Sequence, residues 1–191
     1  GAELIYFSPL KDKKLPQVDG IYLGGGYPEL YLEELASNDR FREQLFQALD
    51  QGMPCYAECG GLIYLGKTMT YQGKTAPLTG YFPFDFAMTD RLQHFGYMTA
   101  TIPGETILSG KQELTINGHE FHYTKRIDSC SYPTVYRVTK QRRNKTIFWE
   151  EGYAKGNTIG GYPHFHFYSA PDIAKNLLDA AISYRRRGNI T

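Results

Sequence analysis

The chain has 191 residues, the length of one domain with a small addition, and 41% of them are apolar, enough for a packed core. Its 21 basic and 20 acidic residues leave a net charge of +1, which removes the electrostatic case for nucleic acid or a membrane surface as a partner. Three cysteines, Cys55, Cys59 and Cys130, are an odd number at no disulfide spacing; they point to a reducing compartment and so to a cytoplasmic protein. No stretch is apolar for long enough to span a bilayer, and no charged-then-apolar leader opens the chain.

Residues 2–7 read as a strand with no helix before it, which predicts that the chain is part of a longer protein. Ile21-Tyr22-Leu23 is a short apolar run entering Gly24-Gly25-Gly26, a strand and its tight loop. Helices are predicted over 29–36 and 39–51. The second has Asn38 as N-cap, Phe41, Leu45, Ala48 and Leu49 on one face and Gly52 as its stop. Residues 53–57 form another buried strand, and strand–helix–strand implies a parallel sheet. Between 80 and 167 the pattern turns to β: runs over 82–86, 97–102, 113–116, 120–123, 135–138 and 146–149. Asn117-Gly118 and Lys155-Gly156-Asn157 give hairpin signals, and Arg142 to Lys145 reads as an exposed turn. A last helix follows Ser169-Ala170-Pro171-Asp172, which fits a capping box. Its predicted buried face is Ile173, Leu177, Leu178, Ala181 and Ile182. Arg185-Arg186-Arg187 suits a solvated helix end.

The sharpest chemical feature is residues 53–65, where a buried strand meets Cys59, then Gly60-Gly61, then an apolar helical start. This is the layout of a nucleophile elbow: small neighbours permit the turn, and the helix start aims N–H groups at the sulfur, favouring a thiolate. The Gly60 N–H can face an oxyanion. Cys55 and Cys130 read as structural, and no Cys or His pair completes a zinc site with Cys55 and Cys59, so no metal is expected. A thiolate needs a base. His164 and His166 end a strand before the final helix, at the sheet edge where the elbow sits, and share one strand face. Gly25 and Gly26 let bare backbone approach a ligand. Residues 61–68 match the Walker A pattern letter for letter. Their Leu-Ile-Tyr-Leu middle is a buried helix rather than an exposed phosphate loop, so the match is set aside.

Five segments in order (Tyr22 to Glu29, Tyr56 to Leu62, Arg91-Leu92-Gln93 with Gly96-Tyr97, Gly118 to Tyr123, and His164 to Phe167) resemble the glutaminase domain of cobyrinate a,c-diamide synthases, a class I glutamine amidotransferase-like domain. The resemblance covers nearly the whole chain. It implies an α/β fold: a flavodoxin-like, doubly wound, mostly parallel sheet with helices on both faces and an added antiparallel region, its first strand and helix lying ahead of residue 1. It implies one glutaminase domain over 1–191, the C-terminal part of a two-domain synthase. Cys59 would attack the glutamine side-chain carbonyl and form a thioester, with His164 as base. Gly60 and Gly25 or Gly26 would donate N–H groups to the oxyanion. His166 would stand where triad enzymes carry a glutamate, as a support, which leaves the orienting group of His164 unassigned. The ammonia would serve an N-terminal synthetase domain that uses ATP and Mg2+ to amidate the a and c acetates of cobyrinate, a corrinoid. Segments 91–97 and 118–123 would face that domain, although His119, Glu120 and His122 read equally well as hairpin surface. Two other readings stand beside this one: a different Cys–His hydrolase on the same fold, and a truncated, inactive domain.

Overall fold

The structure, a computed structural model, describes residues 1–188. Strand β1 (Ile21–Leu23) leads through the glycine loop into a 3-10 turn (Pro28–Tyr31) and helix α1 (Leu32–Ser37). The single helix expected over 29–36 is thus divided, its first turn tightened behind Pro28. Helix α2 (Asp39–Asp50) buries Phe41, Leu45 and Leu49, each contributing about 1.5–3 kcal/mol, and Gly52 ends it at φ +88°. Asn38 precedes this helix but does not cap it: its side-chain amide donates to the carbonyls of Pro9 and Asp12. Strand β2 (Cys55–Glu58), the turn at Cys59 and helix α3 (Gly60–Leu65) follow, all buried. The Walker-like segment therefore begins inside a buried helix.

The remaining strands are β3 (Thr68–Tyr71), β4 (Lys74–Pro77), β5 (Asp85–Met88), β6 (Phe95–Ile102), β7 (Leu114–Phe121), β8 (Thr124–Arg126), β9 (Thr134–Arg142), β10 (Lys145–Lys155), β11 (Thr158–Gly161) and β12 (His164–Phe165), before helix α4 (Asp172–Gly188). The large sheet runs β1-β2-β11-β10-β9-β6-β7-β12, and a small one runs β4-β3-β5-β8. In the large sheet β1 and β11 flank β2 in parallel, and the other five pairings are antiparallel. The expected α/β class with an added antiparallel region holds, and the antiparallel region is the larger share.

Strand periodicity divides the core. Ile21, Leu23, Cys55 and Ala57 point to one face, under α2 and α3; Tyr56 and Ile159 point to the other, under Ile173 of α4. Helices therefore cover both faces. The face of α4 is thinner than expected: Ile173 is buried, Leu177, Leu178 and Ala181 are half-buried, and Ile182 is exposed.

Several local expectations are corrected. Residues 2–7 form no strand; they have no sheet neighbour, and only Phe7 gains cover, against Phe41 with ring centroids 5.7 Å apart. Asn117-Gly118 is no hairpin but the middle of β7, where a Cβ on Gly118 would lie 2.6 Å from the His164 carbonyl oxygen of β12. The runs at 146–149 and 150–154 are one strand, β10, with Gly152 at φ +72°. Residues 82–84 lie ahead of β5, with Phe82 and Phe84 in the core. Ser169 does not cap α4 in a box: its hydroxyl donates to the His166 carbonyl and accepts the Asn117 N–H. The turns at 142–145 and 155–157 form as expected, with Arg143 and Gly156 at positive φ.

Candidate active site

The turn after β2 is drawn tight. Cys59 has φ +46° and ψ −102°, a backbone state that costs a non-glycine residue energy and persists only where the surroundings enforce it. They do so on three sides. The Cys59 N–H donates to the Gly161 carbonyl at 2.8 Å, and the Cys59 carbonyl accepts the first helical bond from Ile63 at 3.0 Å. Gly60 and Gly61 pack against the strand and loop beside them: a Cβ on Gly60 would lie 2.5 Å from the Gly26 oxygen, and one on Gly61 2.4 Å from the Leu23 oxygen. The small residues that announce the elbow in the sequence are those that the packing demands.

His164 reaches the same place from β12. A Cβ on Gly25 would sit 2.3 Å from its Cε1, so the glycine loop, the elbow and the histidine interlock. Hydrogen bonding to Cys59 first and to Glu58 second pushes the His164 pKa up to about 10, against the opposing pull of burial. Cys59, His164, Gly25, Gly26 and Gly60 are thus brought together. His166 is not: it is exposed, it lies past the end of β12, and its ring is 6.0 Å from that of Tyr168.

The carboxylate facing His164 comes from elsewhere. Glu58 Oε2 stands 3.5 Å from His164 Nδ1. The residue is in the elbow motif, yet no local signal gives it a role, because its partner lies far downstream and meets it only through the β2–β11 pairing and the turn to β12. A glutamate inside an otherwise apolar buried strand was the available clue. Glu58 is 4% exposed, and its donors are Tyr22 Oη at 2.7 Å, Tyr56 Oη at 2.5 Å and the Phe165 N–H at 3.0 Å. Burial raises its pKa, but His164, the two phenols and that N–H together outweigh burial and leave it below the ordinary value.

A cavity of about 240 Å³ opens beside Cys59, walled by Gly26, Tyr27, Glu29, Phe121, His122 and Tyr123. Burial raises the pKa of Glu29. Within this wall, the His122 ring stacks on Tyr162 at 3.7 Å and its Nδ1–H donates to the Thr124 carbonyl at 2.8 Å. Its Nε2 lies 3.9 Å from Glu120 Oε2. Glu120 and His122 are buried, so of the segment 118–123 only residues 119, 121 and 123 face outward. Glu151, also buried, accepts the Tyr162 N–H at 3.3 Å, and burial with the Glu120 charge pushes its pKa up to about 7. Among the described residues no group of three or more His, Cys, Asp or Glu is arranged to hold a metal ion, and no helix is long and apolar enough to cross a membrane.

Comparison with known proteins gives a consistent answer. The family model of the CobB/CobQ-like glutamine amidotransferase domain matches residues 1–172. A cobyrinate a,c-diamide synthase of Listeria monocytogenes serotype 4b is 45% identical over 169 residues, 88% of this chain and 37% of the relative. One from Caldanaerobacter subterraneus subsp. tengcongensis is 39% identical over 189 residues, 98% of this chain and 41% of the relative. The chain thus spans about two fifths of the length of the curated relatives that it matches. Among solved structures, a glutamine amidotransferase aligns with TM-score 0.58 at 12% identity, over 85% of this chain and 79% of the other. That likeness bears on the fold alone. With the family model covering residues 1–172, the chain belongs to the CobB/CobQ-like glutamine amidotransferase domain family.

Proposed function

We propose that this domain hydrolyses glutamine at Cys59 and His164 and delivers the ammonia to an ATP- and Mg2+-dependent synthetase domain, which amidates the a and c carboxylates of cobyrinate. One observation carries the reading: a strained cysteine at the start of a helix, beside a histidine whose Nδ1 stands 3.5 Å from a buried carboxylate. The His164 imidazole takes the thiol proton, and the Cys59 sulfur attacks the amide carbon of glutamine. The negative charge that forms on oxygen is met by the Gly60 N–H with that of Gly25 or Gly26. Collapse breaks the carbon–nitrogen bond; His164 returns its proton to the leaving nitrogen, and ammonia departs. Water, deprotonated by His164, then opens the γ-glutamyl thioester and releases glutamate. Glu29, whose carboxyl is pushed up by burial in the cavity wall, suits the α-ammonium of glutamine, a cation that relieves the cost of ionising it.

The synthetase half would occupy the remaining three fifths of a protein like the relatives, and those relatives' name supplies the corrinoid substrate. The outward aromatics Phe121 and Tyr123, on the cavity rim, suit a covering domain that keeps ammonia out of bulk water. The reading is tested with a glutamine-derived diazoketone and intact-mass analysis. One adduct is expected, on Cys59, and none on Cys59→Ala, with glutamine hydrolysis falling on the order of 10⁴-fold or more. An adduct on another residue, or none on the folded wild-type protein, rules it out.

A further inference from the structure

We infer that Glu58, the residue just before the nucleophile, is the positioning residue of His164: the orienting carboxylate comes from the strand that carries the cysteine, not from the segment that carries the histidine. The inference rests on the reading of Cys59 and His164 given above. Three observations support it. The distance from Glu58 Oε2 to His164 Nδ1 is 3.5 Å, and an acceptor at that nitrogen leaves the other one for chemistry on the sulfur side. The carboxylate is itself fixed, since each oxygen takes a phenol O–H, Oε2 from Tyr22 and Oε1 from Tyr56, and Oε1 also takes the Phe165 N–H. The phenols are in turn stacked, Tyr22 on Tyr56 at 5.4 Å and Tyr56 on Phe165 at 6.3 Å, so one aromatic column spans β1, β2 and β12. His166, the other candidate support, is outside this arrangement.

The role follows from charge. When His164 takes the thiol proton it becomes an imidazolium, and an ionised Glu58 at Nδ1 stabilises that form without taking the proton itself. Burial by itself would neutralise a carboxyl, and the two phenols and the N–H prevent this. The groups facing His164 are Cys59 and Glu58 from the β2 side and His119, whose ring stacks at 5.0 Å from β7; the glycine loop offers only backbone.

The test uses the full-length protein with labelled histidine and follows the His164 imidazole by NMR titration, alongside kcat and KM for glutamine. His119→Asn separates the two stacked rings in the spectrum. Glu58→Gln keeps the shape and removes the charge. It is expected to lower the His164 midpoint by about one unit or more and to cut kcat on the order of 10²-fold with KM little changed. Tyr22→Phe, at a half-exposed site, removes a donor that competes for Oε2 and is expected to raise the midpoint. Opposite shifts from the two variants support the inference. A midpoint that Glu58→Gln leaves in place, even with lost activity, overturns it. If Glu58→Gln does not fold, Tyr22→Phe decides: a rise supports the inference, and no change or a fall overturns it. A wild-type protein that releases no ammonia from glutamine overturns the glutaminase reading instead, while the titration still reports on Glu58.

Discussion

Glu58 and Glu151 lie on strands β2 and β10, either side of β11, and both accept a backbone N–H from the short segment 162–165. Both are buried. Their charge states diverge because of what else surrounds each. Glu58 has two phenols and His164, which outweigh its desolvation. Glu151 has Glu120, a like charge, which adds to its desolvation, and backbone N–H groups with His122 offset only part of the sum. Burial therefore does not determine ionisation in this molecule; the donors that accompany burial do. One carboxylate is built to stay charged beside His164, and the other is held near neutrality beside Tyr162.

Glu151→Gln tests the contrast most strongly. Its pKa rises from 4.5 to about 7 on folding, so the folded state keeps a proton that the unfolded state loses. Stability from this group therefore falls as pH rises between those values, by about 3 kcal/mol in all. The variant should lack that loss, so its advantage over wild type in urea unfolding should grow between pH 5 and pH 8. Tyr56→Phe removes a buried donor from Glu58 and should cost about 2 kcal/mol. The sign with pH is reversed here. The Glu58 carboxyl is lowered by folding, so its contribution is present above the ordinary carboxylate value and fades on acidification. In Tyr56→Phe the acid-induced loss should be smaller, as thermal melts at pH 7 and pH 4 would show. Glu120→Gln should have the smallest effect, roughly 1 kcal/mol or less, by removing the second cause of the Glu151 shift and narrowing its pH window. If Glu120→Gln leaves that window unchanged, the two carboxyls do not interact in this way.

The sequence was most legible where a residue's role is local. The elbow could be read because Gly60 and Gly61 flank Cys59 and each fills a space too small for a Cβ. Helix α2 could be read because Phe41, Leu45 and Leu49 repeat at helical spacing. Where a partner is distant, local signals misled. Asn117-Gly118 has the chemistry of a turn, yet that glycine serves the close passage of β12. Asn38 has the chemistry of a cap but ties down the chain at Pro9 and Asp12. Glu58 stands in a motif with no local task, since its task is defined by Tyr22 and His164. Spacing along the chain gives His166 a task, but its side chain is left exposed near Tyr168, at the entry to the 3-10 turn.

The stack of His119 on His164, with the bare backbone of Gly25 close to the ring's Cε1, has a consequence for rates. A surface histidine samples several rotamers and must be caught in the reactive one, an ordering that each turnover would repeat. Here the ring is gripped while the chain folds, so for the proposed base that conformational search is over before glutamine enters.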